Sequence, residues 1–414
     1  MAYTTIDDPS EHCQGLNYIG DLDDRQKRNY GGNADSYVPD IFLGKSFAGS
    51  SHPEHSDSVA TGGFTTAYEQ ASYGRRGVQT MTTIETDGYT MGADGQVNAQ
   101  DAEHMALTWN CGSTGTIQSF YPSGTGYGNN RTSVSASGSA VAHEYTVNTT
   151  AKQSVVFYVG TGSSGMEVPH HLGVKPTFGM IRKMGPGTYS QTNYYDAAPF
   201  KFYKDMTANG LADGSWGGHH GSGWQYAPSG GVGSGEAFSA APDSTKYTMG
   251  SHGYTNTDDY DFICYSFSDV QGYFKTGFYE GYGDANGPFV YTGFEPEMIL
   301  INPQDNGTNP ATHGNLGSNV GAGYYGGWYW FVNGMTGNGF NPHNKTWNFP
   351  DSQAMQNYDE DALDIYSNGF KIRAPGGDVS GGWQAGNQVD KTVWYAAWAK
   401  HPIVTSGGVP ATAK

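Results

Sequence analysis

The stretch Asn256-Thr257-Asp258-Asp259-Tyr260-Asp261-Phe262-Ile263-Cys264-Tyr265-Ser266-Phe267 decides the fold. From Phe262 onward aromatic and β-forming residues follow one another, and an extended chain places alternate ones on opposite faces of a sheet. The arrangement occurs twice more, as Asn98 ahead of Met105-Ala106-Leu107-Thr108-Trp109 and Asn387 ahead of Val393-Trp394-Tyr395-Ala396-Ala397-Trp398. In all three places the last aromatic follows the Asn by 11 residues. Such regularity points to one unit used three times.

Working outward, the flanking segments match as well. Phe157-Tyr158-Val159-Gly160 corresponds to Phe278-Tyr279-Glu280-Gly281 and, in the first copy, to Tyr18-Ile19-Gly20. An apolar run holding a proline follows each: Val38-Pro39-Asp40-Ile41-Phe42-Leu43, Val174 to Ile181 around Pro176, and Phe294 to Ile301 around Pro296. Proline cannot donate to a ladder, so these positions belong at strand starts or edges. A dense aromatic strand comes next, Phe200-Lys201-Phe202-Tyr203 and Trp328-Tyr329-Trp330-Phe331. Two facing sheets would interleave such residues into a core about 10 Å thick, so each unit reads as a β-sandwich. The expected organisation is a first unit at 1–112, a Ser/Gly/Thr-rich linker or arm at 113–153, a second unit at 154–270, and a third at 271–414 that includes a C-terminal tail. Long Gly/Asn/His-rich loops are expected from Asn209 to Glu236 and from Asp305 to Gly327.

Composition agrees with an all-β chain. The 414 residues include 62 Gly and 30 Tyr but only nine Leu, which disfavours helical bundles and α/β enzymes. A net charge of −18 opposes nucleic-acid binding, which needs clustered Lys and Arg. No run approaches the ~20 apolar residues of a membrane span, and Met1 to Pro9 carries no secretion-signal pattern, so folding in a cytoplasm is expected. Cys13, Cys111 and Cys264 are too dispersed for a disulfide scaffold and read as buried reduced thiols.

The opening MAYTTIDDPS, the segment DGYTMGADGQVN (87–98) with ALTW (106–109), VPHHLGVKPTFGMIRK (168–183) and WYAAWAKHPI (394–403) together resemble virion proteins of tailed bacteriophages, especially marine ones. The resemblance implies tandem jelly-roll sandwiches similar to concanavalin A-like lectin/glucanase domains. It also implies a non-enzymatic structural role in a tail fibre or tail-associated part. The first unit has 59 residues from Pro39 to Asn98 against 80 and 91 in the other two, which leaves fewer for strands and suits a docking module. The implied partners are other virion proteins, further copies of the chain in a homo-oligomer (a trimer for a fibre), and host-surface polysaccharide. A capsid or tail-tube decoration protein is the alternative, and a depolymerase a third reading.

A depolymerase needs paired carboxylates in reach of one glycosidic bond. Glu85-Thr86-Asp87 runs into a turn, Glu295-Pro296-Glu297 has a proline between its acids and no third carboxylate, and Asp359-Glu360-Asp361 reads as solvated. Asp258-Asp259-Tyr260-Asp261 offers oxygen ligands for Ca²⁺ but lacks the twelve-residue spacing of a calcium loop, and no metal site or other cofactor is assigned from the sequence. His170-His171 reads as a turn pair rather than as metal ligands. The candidate binding residues are Trp216, His219, His220 and Trp224. Two tryptophans around polar groups suit sugar recognition, in which ring faces stack and side chains hydrogen-bond hydroxyls.

Overall fold

Alternating β-formers punctuated by glycine turns build strands throughout the described residues. A computed structural model describes residues 4–21, 26–29, 37–46, 54–57, 81–85, 88–91, 98–113, 132–186, 201–204, 216–220, 223–227, 237–303, 328–333, 341, 345–349, 356–357, 361–373, 386–387, 389–390 and 392–410. The first copy holds β1 (Cys13–Ile19), β2 (Gln26–Asn29), β3 (Ile41–Ser46), β4 (Glu54–Asp57), β5 (Met81–Glu85), β6 (Gly88–Met91) and β7 (Glu103–Trp109). After β8 (Thr132–Val134) and β9 (His143–Asn148) comes the second, with β10 (Gln153–Val159), β11 (Met166–Pro169), β12 (Phe178–Pro186), β13 (Lys201–Lys204), β14 (Trp216–His220), β15 (Gly223–Ala227), β16 (Phe238–Ala240), β17 (Lys246–Met249) and β18 (Tyr260–Phe267). The third holds β19 (Phe274–Glu280), β20 (Phe289–Tyr291), β21 (Phe294–Pro303), β22 (Trp328–Val332), β23 (Lys345–Phe349), β24 (Gln356–Asn357), β25 (Leu363–Tyr366), β26 (Gly369–Ile372) and β27 (Thr392–Pro402).

One strand order recurs. The larger sheets run β1-β7-β3-β4, β10-β18-β12-β13 and β19-β27-β21-β22, and the smaller ones β2-β6-β5, β11-β17-β16 and β20-β26-β25. In every copy the last strand lies between the first and the next long one. In the second copy Val156, Tyr158 and Ile181 of the larger sheet share a core with Met166, Val168, Phe238 and Tyr247 of the smaller sheet. Pro39 and Pro176 precede their strands, while Pro296 sits where the β21–β27 register shifts, so neither kind of site demands a donor.

Two segments depart from the sequence reading. Part of the segment expected to be a linker belongs to a sheet, because β9 pairs with β10 from His143↔Tyr158 to Asn148↔Gln153 and β8 pairs with β9. Composition hid this: Tyr145 and Val147 are β-formers, and the Asn148 side chain closes the turn by accepting from the Thr150 and Ala151 N–H groups. Residues 114–131 lie outside the described residues. Within the expected loop from Asn209 to Glu236, β14 and β15 form a hairpin that continues the second larger sheet. The second expected loop, 305–327, lies outside the described residues.

The three copies meet through the faces of their larger sheets that point away from the smaller ones. Trp109, Phe267 and Trp398, the three aromatics 11 residues after the repeated asparagines, touch one another. Their ring centroids form a nearly equilateral triangle, with 5.6 Å from Trp109 to Phe267, 5.4 Å from Trp109 to Trp398 and 5.5 Å from Phe267 to Trp398. Each sits at the same register: opposite Cys13, Gln153 and Phe274 on one side, and opposite Ile41, Phe178 and Met298 on the other. The last strands are therefore covered on both faces, which is why β18 and β27 read as almost unbroken apolar runs. Hydrogen bonds reinforce the junction. Gln153 Nε2 donates to the His12 and Asn110 carbonyls, and Tyr273 Oη donates to Gln153 Oε1.

The repeated asparagines explain their own recurrence. Asn98, Asn256 and Asn387 are fully buried. Each Oδ1 accepts the backbone N–H just past the glycine that ends the first strand, from Asp21 at 3.1 Å, Thr161 at 2.8 Å and Tyr282 at 2.9 Å. Three residues after each Asn, Asp101, Asp259 and Asp390 adopt φ of 58°, 61° and 57°, a left-handed turn that Asp tolerates better than most residues. This hook ties the turn before the last strand to the end of the first. The three cysteines are free and buried, and burial pushes the Cys264 thiol up to about 12.

Candidate functional site

Exposed aromatic side chains gather on the smaller sheet of the third copy. In β20 the pattern is exposed, buried, exposed: Val290 enters the core while Phe289 and Tyr291 stay 47% and 53% accessible. Strand alternation dictates this, because the inner face of the sheet is already filled by Leu363, Ile365, Phe370 and Ile372. Register sets Phe289 opposite Lys371 and Tyr291 opposite Gly369, and then Asp364 and Tyr366 opposite those two from β25. Gly369 has no room for a side chain, since a Cβ there would meet Val290 O at 2.0 Å and the Phe289 ring at 3.1 Å. The glycine lets the Phe289 ring lie over β26 and meet Tyr366 edge-on at 5.9 Å. Polar groups surround these rings. Tyr366 Oη donates to Asp364 Oδ2 at 3.1 Å, and Arg373 Nε stands 3.6 Å from the same oxygen.

Tyr291 also walls a cleft of about 510 Å³, lined by Thr4, Asp269, Lys275, Thr292 and Val404 among others. The cleft forms where the turn between the second and third copies meets the N-terminal segment and the C-terminal tail. Lys275 Nζ donates to Tyr291 O at 2.7 Å and lies 5.4 Å from the Tyr291 ring centroid. Asp269 Oδ1 accepts from Thr177 Oγ1, Thr276 N and Thr276 Oγ1 at 2.9–3.0 Å. Lost hydration raises the Asp269 carboxyl above its ordinary value, against the pull of those hydrogen bonds, and lowers the Lys275 ammonium. Asp269 is the one carboxylate among the described lining residues. The cleft thus offers a cation, an aromatic wall and hydroxyl partners, in a volume suited to one or two sugar rings.

The sequence candidates fall elsewhere. Trp216, His219, His220 and Trp224 lie on the β14–β15 hairpin at the end of the second larger sheet. Its register sets His219 opposite Trp224 and Trp216 opposite Ala227, so the two tryptophans are not cross-strand partners. Their side chains lie outside the described residues. His170 is buried with both ring nitrogens used, Nδ1 accepting from Leu172 N and Nε2 donating to Asp243 O. Its neighbour His171 instead meets His143. Glu295 is buried and accepts from Asn333 Nδ2 at 2.9 Å. Glu297 packs beside Gly15 of the first copy, so neither acid lines the cleft. Sequence reasoning missed Phe289 and Tyr291, although the alternation Phe289-Val290-Tyr291 ahead of a glycine turn was there to be read.

A family model described as a domain of unknown function (DUF7483) matches residues 8–198 and 229–315. The chain belongs to that family. The DUF7483 match takes in the first copy, β8 to β12 and β16 to β21, and with them Asp269, Lys275, Phe289 and Tyr291. The β14–β15 hairpin falls between its two segments, and β25 and β26 fall after them. No curated protein and no solved structure matches the chain.

Proposed function

We propose that this DUF7483 chain is a non-enzymatic structural protein of a tailed-bacteriophage particle, in a tail fibre or tail-associated part, that holds carbohydrate on the host surface. Each copy is then a concanavalin A-like jelly roll, a reading supported by a larger and a smaller antiparallel sheet in one repeated order. The phage assignment rests on the sequence resemblance. The carbohydrate assignment rests on one observation: Phe289 and Tyr291 stay half-exposed beside Tyr366 and the Lys275 cleft. Apolar sugar faces stack on such rings, and the ammonium, hydroxyls and carboxylate at the rim pair with sugar hydroxyls. Among the described lining residues Asp269 is the one carboxylate, whereas glycoside hydrolysis uses two. Assembly as a homo-oligomer, a trimer in a fibre, belongs to the same proposal.

Affinity electrophoresis of the full chain in gels containing host-surface polysaccharide tests the carbohydrate reading. Retardation is expected for the wild type and is lost in Phe289→Ala with Tyr291→Ala. Equal mobility of the two proteins would sink it, and retardation lost only in Trp216→Ala with Trp224→Ala would move the site to the hairpin. Purified particles that lack the polypeptide would defeat the virion assignment.

A further inference from the structure

The cleft beside Tyr291 holds a cation that has no ion pair among the described residues. Lys275 Nζ donates to the Tyr291 carbonyl and lies near the Tyr291 ring, and Asp269 attracts it only at longer range. Partial burial strips water from this ammonium, and a charge taken from water is costly until it is paired. Asp269 is itself committed, its Oδ1 accepting from Thr177 Oγ1, Thr276 N and Thr276 Oγ1. A second donor lines the same cleft. Gly272 is buried at a φ of 77°, and its N–H has no acceptor among the described residues, a state in which buried backbone groups are rarely left. On the sheet face beyond Tyr291, Lys371 stands opposite Phe289, and among the described residues its ammonium meets the neutral amide oxygen of Asn286 rather than an acid. The adjacent Asp364 already faces Arg373.

We infer that the cleft seats the carboxylate of an acidic sugar, with Lys275 as its charge partner, and that the glycan held on this face is an acidic polysaccharide. The inference rests on the carbohydrate reading above and names its substrate class. A carboxylate on Lys275 supplies the missing counter-charge, and hydrogen bonds between charged groups are roughly twice as strong as neutral ones. The Tyr291 ring then takes the apolar face of that sugar. Phe289 lies two residues along β20 on the same face, ~6.6 Å away at the usual strand rise, and takes a following sugar. Lys371, across from Phe289, meets the next acidic unit. The net charge of −18 repels a polyanion at long range, but salt screens that repulsion beyond about 8 Å and screens a partly buried pair much less. Recognition therefore comes from these local cations.

Affinity electrophoresis of the full chain at physiological salt provides the test, with polygalacturonate, polysialic acid and the carboxyl-reduced form of each as probes. The first polymer carries its carboxylate on the ring carbon opposite the linkage and the second on the anomeric carbon, so the stronger retardation tells which kind of acidic sugar fits, and either preference supports the inference. Each reduced polymer keeps the chain and loses the charge, and should retard the wild type less than its parent. Lys275→Gln should raise the apparent Kd for the preferred acidic polymer about tenfold, leave the reduced forms unchanged, and be largely rescued by Lys275→Arg. Lys371→Gln removes the more exposed charge without touching the cleft and should weaken the acidic polymer about threefold, which keeps the test open should Lys275→Gln not fold. Equal retardation by a polymer and its reduced form, or wild-type behaviour in Lys275→Gln, would overturn the inference and leave the carbohydrate reading standing. No retardation by any of these polymers would overturn both.

Discussion

Replacing Trp398 by Ala tests whether the three copies of the repeated two-sheet unit form one cooperative body. Trp398 is fully buried, and its ring meets Phe274 at 4.7 Å, Trp109 and Trp330 at 5.4 Å, Phe267 at 5.5 Å and Phe178 at 6.2 Å. Those neighbours come from all three copies, so none can close the gap without moving against another. Truncating a buried tryptophan costs about 3–5 kcal/mol, and the loss of several aromatic pairs puts this site near 5. Unfolding entropy of about 2.1 cal/mol/K per residue amounts to ~0.9 kcal/mol/K for 414 residues, so the melting temperature should fall by about 5–6 °C. Scanning calorimetry should give one transition in both proteins, with the whole transition displaced in the variant. A shift below 1 °C would refute the reasoning. So would two separated transitions of which only one moves, because then the shared core would not couple the copies.

Three further outcomes follow from the hydrogen bonds and the registers. Asn256→Ala strips acceptors from Thr161 N and Gly162 N and donors from Ser163 O and Gly250 O, and should cost about 3–4 kcal/mol by urea titration. Gly369→Ala forces a methyl onto Val290 O, so it should cost about 1–3 kcal/mol and displace Phe289, weakening polysaccharide retardation in the same gel assay. His12 accepts from Asn148 Nδ2 at 3.0 Å and lies edge-on to Tyr273 at the three-copy junction, and burial lowers its ring below the ordinary 6.5. The unfolded chain takes up this proton first, so the His12 contribution to stability is whole above pH 6.5 and falls as pH drops below it. Denaturation curves between pH 7 and pH 5 should show a smaller decline in His12→Gln than in the wild type, and parallel curves would refute that role.

Much of the architecture could be read along the chain, because a strand's faces alternate with sequence and a duplicated unit repeats its spacing. Asn98, Asn256 and Asn387, each with an aromatic 11 residues on, marked three last strands correctly, and the proline runs marked their partners. The buried state of the cysteines was equally legible, since three scattered thiols have no scaffold to join. Composition misled where it was used alone. The Ser- and Gly-rich stretch before Gln153 hid β8 and β9, and the Gly- and His-rich stretch after Asn209 hid a hairpin.

What the sequence determined by itself was local: which residues extend, where strands begin and end, and how often the pattern returns. Only tertiary structure decided which faces those strands share. No spacing announces that Trp109, Phe267 and Trp398 form one cluster, or that His171 turns to His143 rather than pairing with its neighbour. The exposure of Phe289 and Tyr291 is decided the same way, by how the sheets fill the opposite face. Such contacts join residues tens to hundreds of positions apart. Their energy comes from surface excluded from water only after the whole chain has closed, and no short window of sequence carries that information.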